Sequence, residues 1–140
     1  MIKFARFHLR VKENVRDFMR SLMSNQERQD MIDWDRVAAL REEVGPEDFD
    51  EVVEIFLEEV DAEIDALNDG ISSEELGEKL HFLKGSALNL GFRDFSGLCQ
   101  LGEEALKQGE SHGVDLGALC SSYAQSRAAF LADLPNRFPA

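Results

Sequence analysis

The chain has few of the residues that cross-link or interrupt a polypeptide. Its 140 residues include only two cysteines and three prolines. Cys99 and Cys120 both fall inside apolar helical patterns, which favours buried thiols in a reducing cytoplasm over a disulfide framework. No apolar run is long enough to span a bilayer, and the N-terminus lacks the apolar segment of a signal peptide. We therefore expect a cytoplasmic protein with no membrane span.

Positive charge is also scarce, and it is unevenly placed. The chain has 15 Lys and Arg against 28 Asp and Glu, a net charge of -13. Residues 1–30 hold seven of the basic residues, so residues 31–140 carry a net charge of about -16. Such a surface repels a phosphate backbone, which argues against a nucleic-acid partner. A protein partner with a basic docking face is the better match.

The sequence also lacks any sustained alternation of apolar and polar residues with a period of two. No segment is therefore typical of a strand, and the expected fold class is all-α. With 44% hydrophobic residues in 140, one domain is expected. Short loops between amphipathic segments predict an antiparallel up-and-down four-helix bundle, with a short helix over one end that Trp34 anchors. The expected helices cover about residues 33–44, 46–67, 72–90, 94–109 and 115–134, with Ser72, Asp94 and Asp115 at N-terminal boundaries and Pro135 ending the last.

Residues 1–30 form a separate basic segment with an apolar stripe at helical spacing. It is either a helix that packs on the bundle or pairs with another copy, or a poorly ordered leader. Basic amphipathic helices also dock on membrane surfaces or on partners. Met31 directly precedes the well-patterned domain of residues 31–140, so the first thirty residues need not belong to the working protein.

The third predicted helix carries an unusual group of residues outside its core stripe. At 100° per residue, His81 faces nearly opposite that stripe, and Gly77, Lys84 and Gly85 are its neighbours. A glycine inside a helix costs on the order of 1 kcal/mol relative to alanine. Two glycines beside one histidine indicate that the surface around the ring must be free of bulky side chains, so that a large partner can approach. The core stripe itself consists of Leu76, Leu80, Leu83, Ala87 and Leu90.

An exposed neutral imidazole is a good nitrogen nucleophile, and a phosphoryl group on it is readily passed on. Lys84 would offset the phosphoryl charge. The sequence shows no glycine-rich nucleotide loop, no acidic metal cluster and no triad partner for His81. The chain is therefore not expected to be an enzyme with its own ATP site, and another protein must supply half of the active site.

Residues 80–92, Leu-His-Phe-Leu-Lys-Gly-Ser-Ala-Leu-Asn-Leu-Gly-Phe, resemble the signature of histidine-phosphotransfer (HPt) domains of multistep phosphorelays. The resemblance continues through Leu98, Cys99 and the Glu103-Glu104-Ala105 stretch, and the family's helical bundle would cover about residues 31–134. It implies that His81 is the phosphoacceptor between receiver-domain aspartates of a hybrid histidine kinase and a response regulator. It further implies that Lys84 supports the phosphoryl group and that Gly85 allows close approach. Ser86 and Asn89 match polar motif positions, to which we assign structural roles, and magnesium is expected on the partner receiver only.

Two neighbours of His81 depart from a simple copy of the motif. Glu78 shares its face and would either hold an imidazole N–H, repel phosphate or remain a plain solvated carboxylate. Leu88 lies about 20° from His81 on the wheel, outside the core stripe, and we expect it to be a docking contact together with Gly77 and Glu78. His8 and His112 have no partners at metal-ligand spacing and are expected to be surface or loop residues.

Two other classes of function compete with the phosphoryl carrier. One is a non-transferring module that binds and sequesters receiver domains; the presence of both His81 and Lys84 argues against it. The other is a bundle that binds a metal or cofactor in its core. The predicted inward positions lack paired Glu or His ligands, which disfavours that class.

Overall fold

The computed structural model describes residues 31–67, 69–110 and 113–139 of the chain. Five α-helices make up this part: α1 (Trp34–Val44), α2 (Pro46–Leu67), α3 (Ser73–Leu90), α4 (Arg93–Lys107) and α5 (Leu116–Arg137). The described ranges contain no strand beyond an isolated bridge between Ile32 and Phe92, so the prediction of an all-helical fold is confirmed. The basic segment of residues 1–30 lies outside the described residues.

Side-chain caps fix three of the helix starts. Asp33, Ser72 and Asp115 each have extended backbone and accept a hydrogen bond from the backbone N–H three residues later. These bonds satisfy amide groups that have no partner within the helix. The sequence predicted the capping role of Ser72 and a helix start near Asp115, and both predictions are confirmed.

Two predicted helix boundaries are wrong. The residue before α4 is Phe92, not Asp94, and Asp94 lies in the first turn, where a carboxylate suits the helix dipole. The helix starts early because Phe92 is fully buried and its carbonyl accepts the first bond, from Ser96. Pro135 does not end α5, which continues to Arg137. Its last turn is held by packing, since Phe138 stands edge-on to Phe49.

The core lies between the helices and is built from their apolar stripes. Trp34 of α1 stacks on Phe130 of α5, with ring centroids 5.6 Å apart, as expected of an anchor. Both cysteines are free thiols: Cys99 is buried and Cys120 half-buried. The fully buried side chains include Leu57, Leu67, Leu80, Leu83, Phe92, Phe95, Cys99 and Phe130.

Helices α3 and α4 form a tight hairpin whose turn depends on a glycine. Gly91 has φ +79°, and a Cβ there would lie 2.6 Å from the carbonyl oxygen of Asp33. Only glycine fits such a left-handed and crowded position. Further along, a Cβ on Gly102 of α4 would lie 2.9 Å from Cδ1 of Leu80 of α3. Two glycines therefore permit the turn and the close approach that fix the register of this hairpin.

A partly buried group of polar side chains joins α2 to α5. The Arg127 guanidinium donates to both carboxylate oxygens of Asp61, at 3.1 and 3.0 Å, and the hydroxyl of Tyr123 donates to the same carboxylate. Burial, together with the Asp61 contact, raises the pKa of Tyr123. The hydroxyl therefore remains a donor at neutral pH, and the bidentate pair fixes how the two helices meet.

Candidate functional site

His81 stands at the surface near the middle of α3. Its side chain is 75% exposed, whereas Leu80 and Leu83 beside it are fully buried. This separation follows from the helical period, because the leucines belong to the core stripe and His81 lies on the opposite face. The imidazole is therefore open to a reactant from outside.

The imidazole is not alone, because α4 supplies a carboxylate to it. His81 Nδ1 lies 3.2 Å from Oε2 of Glu103, and the Glu103 side chain is only 10% exposed. Partial burial by itself would raise the pKa of Glu103, but the contacts with Lys84 and His81 outweigh it and hold the pKa below its usual value. Glu103 is consequently ionised at neutral pH.

This contact determines which ring nitrogen can react. An ionised carboxylate can only accept a hydrogen bond, so Nδ1 of His81 must carry the hydrogen. The lone pair of a neutral imidazole then resides on Nε2, away from α4. The site thus presents an exposed nitrogen nucleophile whose tautomer is fixed by a partly buried acceptor.

Lys84 is held on the same side of α3. Its Nζ lies 2.7 Å from Oε1 of Glu103 and donates to Oε1 of Gln100 at 3.0 Å, and Gln100 in turn donates to Glu104. The ammonium is therefore already paired within the folded chain. Glu103 contacts both Lys84 and His81, which couples the nucleophile to the cation one turn along the helix.

The two glycines near His81 have different surroundings. A Cβ on Gly85 would meet no atom within 4 Å, so nothing inside the folded chain requires glycine there. A Cβ on Gly77 would lie in ordinary contact with Leu106 of α4, at 3.7 Å. Gly85 therefore leaves open space outside the molecule, while Gly77 borders the α3–α4 contact.

The remaining predicted site residues differ in how far their side chains are exposed to solvent. Glu78 and Leu88 are exposed, and the carboxylate of Glu78 makes no hydrogen bond or ion pair within the described ranges. The carboxylate that contacts the imidazole is that of Glu103. Ser86 is buried, and the backbone carbonyl of Asn89 accepts a hydrogen bond of 3.4 Å from Arg36 of α1.

Sequence reasoning missed Glu103 and Gln100 as partners of the motif. A usable signal was present, since only Gly91 and Phe92 separate α3 from α4. His81 lies ten residues before Gly91, and Glu103 lies eleven after Phe92. In a helical hairpin with so short a turn, residues at equal distances from the turn come together. Counting outward from the turn would have paired them.

The described part of the chain has neither a cluster of metal-ligating side chains nor a helix that could span a membrane. No group of three or more His, Cys, Asp or Glu there could hold a metal ion. None of its helices has both the length and the apolar character that crossing a bilayer requires.

Comparison with known proteins identifies the family. The profile described as Hpt domain matches residues 51–134, which is more than half of the chain. No curated protein and no solved structure gives a significant match. The matched range includes the whole of α3 and α4, and therefore His81 and the residues around it. The chain accordingly belongs to the Hpt domain family, whose members are phosphotransfer carriers of two-component signalling.

Proposed function

We propose that this chain carries a phosphoryl group on Nε2 of His81 between receiver-domain aspartates of a hybrid histidine kinase and a response regulator. The observation that carries the proposal is the exposed imidazole whose Nδ1 is bound by the ionised Glu103. The chain acts as a carrier without its own ATP site, and the receiver supplies the rest of the active site. We place the protein in the cytoplasm, where such relays have their partners.

The proposed transfer needs little from this chain beyond one nucleophile. The Nε2 lone pair attacks the phosphorus of the aspartyl phosphate, and the bond from phosphorus to the aspartate oxygen breaks, releasing the carboxylate. The ring becomes positively charged, because it keeps its Nδ1 hydrogen. Glu103 stabilises that charge through the same hydrogen bond. In the onward step a second aspartate attacks, and the electron pair of the P–N bond returns to Nε2.

The neighbours of His81 take supporting roles in this proposal. Lys84 moves part of its interaction from Glu103 to the phosphoryl oxygens, which limits the build-up of negative charge. Gly85 leaves room for the acidic pocket of the receiver, and the magnesium ion used in transfer belongs to that pocket. Ser86 and Asn89 support the fold of α3 and its junction with α1.

The finer architecture is part of the same proposal. Contacts between α3 and α4 pair residues on either side of their turn, so these two helices run in opposite directions. We extend this order to α2 and α5 as an up-and-down four-helix bundle, with α1 over one end. Self-association through residues 1–30 remains a prediction.

The test is phosphoryl transfer from receiver domains. Receivers of the source organism are labelled with radioactive acetyl phosphate and Mg²⁺ and then mixed with wild-type chain or with His81→Gln. We expect acid-labile, alkali-stable label on the wild type and none on His81→Gln. Tight receiver binding without label would favour the sequestering module, and label that persists on His81→Gln would refute the site.

A further inference from the structure

The side chain of Gln100 lies next to the site, although the proposed transfer gives it no role. It belongs to α4, one turn before Glu103, and is half-buried. Its Oε1 accepts a hydrogen bond of 3.0 Å from Nζ of Lys84, and its Nε2 donates one of 3.0 Å to Oε1 of Glu104. Gln100 therefore connects the cation of the site to a second carboxylate of α4.

The neighbours of Gln100 allow only one orientation of its amide. In the reverse orientation the amide N–H groups would face the Lys84 ammonium, which has only donors. The amide carbonyl would then face the Glu104 carboxylate, which has only acceptors. Glu104 lies four residues after Gln100, so the two side chains share a face of α4. The carbonyl oxygen of the amide is therefore turned toward Lys84 by a contact within α4 itself.

Lys84 has two acceptors on α4, and they differ in charge. Its Nζ lies 2.7 Å from Oε1 of Glu103 and 3.0 Å from Oε1 of Gln100. The carboxylate neutralises the ammonium, whereas the amide accepts a hydrogen bond and leaves the positive charge in place. An ammonium has three N–H donors, and Lys84 has no third acceptor among the described residues. One N–H is therefore available to a phosphoryl oxygen.

The second acceptor also matters to Glu103, whose two oxygens serve different partners. Oε1 contacts Lys84, and Oε2 contacts Nδ1 of His81. A lysine held by one carboxylate alone is free to bridge both oxygens, and it would then compete with the imidazole for Oε2. Gln100 and Lys84 each lie one turn closer to the α3–α4 turn than Glu103 and His81 do. The amide therefore draws the ammonium away from the imidazole.

We propose that Gln100 is a positioning residue for the phosphorylation of His81 and that it acts through Lys84. This inference rests on the proposed function and adds a residue of α4 on which the rate of transfer depends. The amide keeps the ammonium charged, with one N–H open to phosphoryl oxygens, and leaves Oε2 of Glu103 to the Nδ1 hydrogen. When a phosphoryl group binds Nε2, Lys84 turns toward it from Glu103 while Gln100 still holds the ammonium.

Labelling by phosphoramidate tests this role, because this small donor needs no partner protein. Nε2 of His81 attacks the phosphorus, and the P–N bond of the donor breaks with its electron pair leaving on ammonia. Gln100→Met keeps the length of the side chain but removes the acceptor, and it should slow initial labelling about fivefold. Gln108→Met is the matched control, since Gln108 of the same region is exposed and its side chain makes no hydrogen bond within the described ranges. It should label at the wild-type rate.

Two further measurements show whether Gln100 acts through Lys84. In a Lys84→Met background, adding Gln100→Met should change the labelling rate by less than about 1.5-fold, because the group that it positions is gone. In a spectrum of lysine ammonium groups at low temperature, the wild type should show a Lys84 signal, since two acceptors slow its hydrogen exchange. Gln100→Met should lose that signal and keep the signal of Lys79, whose Nζ lies 2.6 Å from Glu63.

Other results would overturn the positioning role. A wild-type labelling rate in Gln100→Met would overturn it and leave the carrier function intact. Equal slowing with and without Lys84 would also overturn it, because Gln100 would then only support the fold of α4. No labelling of His81 in the wild type would refute both proposals. If Gln100→Met slows labelling as expected but no receiver transfers to the wild type, the carrier function fails while the positioning role stands.

Discussion

At the level of single residues, the site is distinguished by a carboxylate that serves two neighbours. Oε2 of Glu103 binds the imidazole of His81, and Oε1 binds the ammonium of Lys84. The helical period was sufficient to predict that His81 faces outward beside Lys84. It could not assign Glu103 a role, because that residue belongs to another helix and periodicity within one helix carries no information about its neighbour.

We expect Glu103 to control the reactivity of His81. Glu103→Ala removes the acceptor of the Nδ1 hydrogen and should slow labelling by phosphoramidate about tenfold, the effect of losing about 1.4 kcal/mol of transition-state stabilisation. Glu103→Gln keeps an acceptor without its charge and should be intermediate. Initial labelling rates measure both. Equal rates for all three proteins would show that the contact has no part in the chemistry.

Glu103 should also contribute to acid sensitivity. Its pKa in the folded chain is lowered from an unfolded value of 4.5, so its ion pairs stabilise the fold above pH 4.5 and this contribution is lost as the pH falls through the folded pKa. Glu103→Gln should therefore lose less stability than the wild type between neutral pH and pH 3. Urea unfolding at several pH values measures this difference. Parallel pH profiles for the two proteins would contradict it.

A side chain at position 85 should affect the stability of the fold and the rate of phosphoryl transfer differently. A Cβ at this position meets nothing in the folded chain, so Gly85→Ala should raise the free energy of unfolding by about 0.5–1 kcal/mol through helix propensity. The same methyl group would obstruct a receiver and slow transfer. Thermal unfolding and receiver transfer rates, measured on one preparation, should thus change in opposite senses. A variant that transfers at the wild-type rate would remove Gly85 from the interface.

At the level of helices, the α3–α4 hairpin is what assembles the site. Sequence signals located four of the five helix starts closely, because capping residues and Pro46 act locally. They failed at Asp94 and Pro135, where tertiary packing decides the boundary. A buried Phe92 starts α4 early, and the packing of Phe138 holds the last turn of α5. Neither effect can be inferred from the adjacent residues.

The register of this hairpin should depend on Gly102. Gly102→Ala would place a Cβ 2.9 Å from Leu80, whose side chain is fully buried, and should lower the free energy of unfolding by about 1–3 kcal/mol. Gly97→Ala on the same helix is the matched control, since its Cβ would meet nothing within 4 Å and should be neutral or stabilising. Urea denaturation distinguishes the two. Similar free energies of unfolding for Gly102→Ala and Gly97→Ala would show that α3 and α4 can accommodate an added methyl group at this contact.

At the level of the whole molecule, the described domain is an acidic helical support for one exposed histidine. The contact of Asp61 with Arg127 and Tyr123 ties α2 to α5 at sequence separations above 60 residues. No local pattern predicts such a pairing. Composition did predict the acidic surface, and the family profile agrees with the resemblance that the His81 motif first indicated.

The most direct test of the account is to locate the phosphoryl group after transfer from a labelled receiver. In a proton–nitrogen correlation spectrum of the ¹⁵N-labelled chain, we expect only the ring of His81 to change, with phosphorus coupled to Nε2 and a hydrogen retained on Nδ1. Phosphorus on Nδ1, on His8 or His112, or on no histidine would contradict the account.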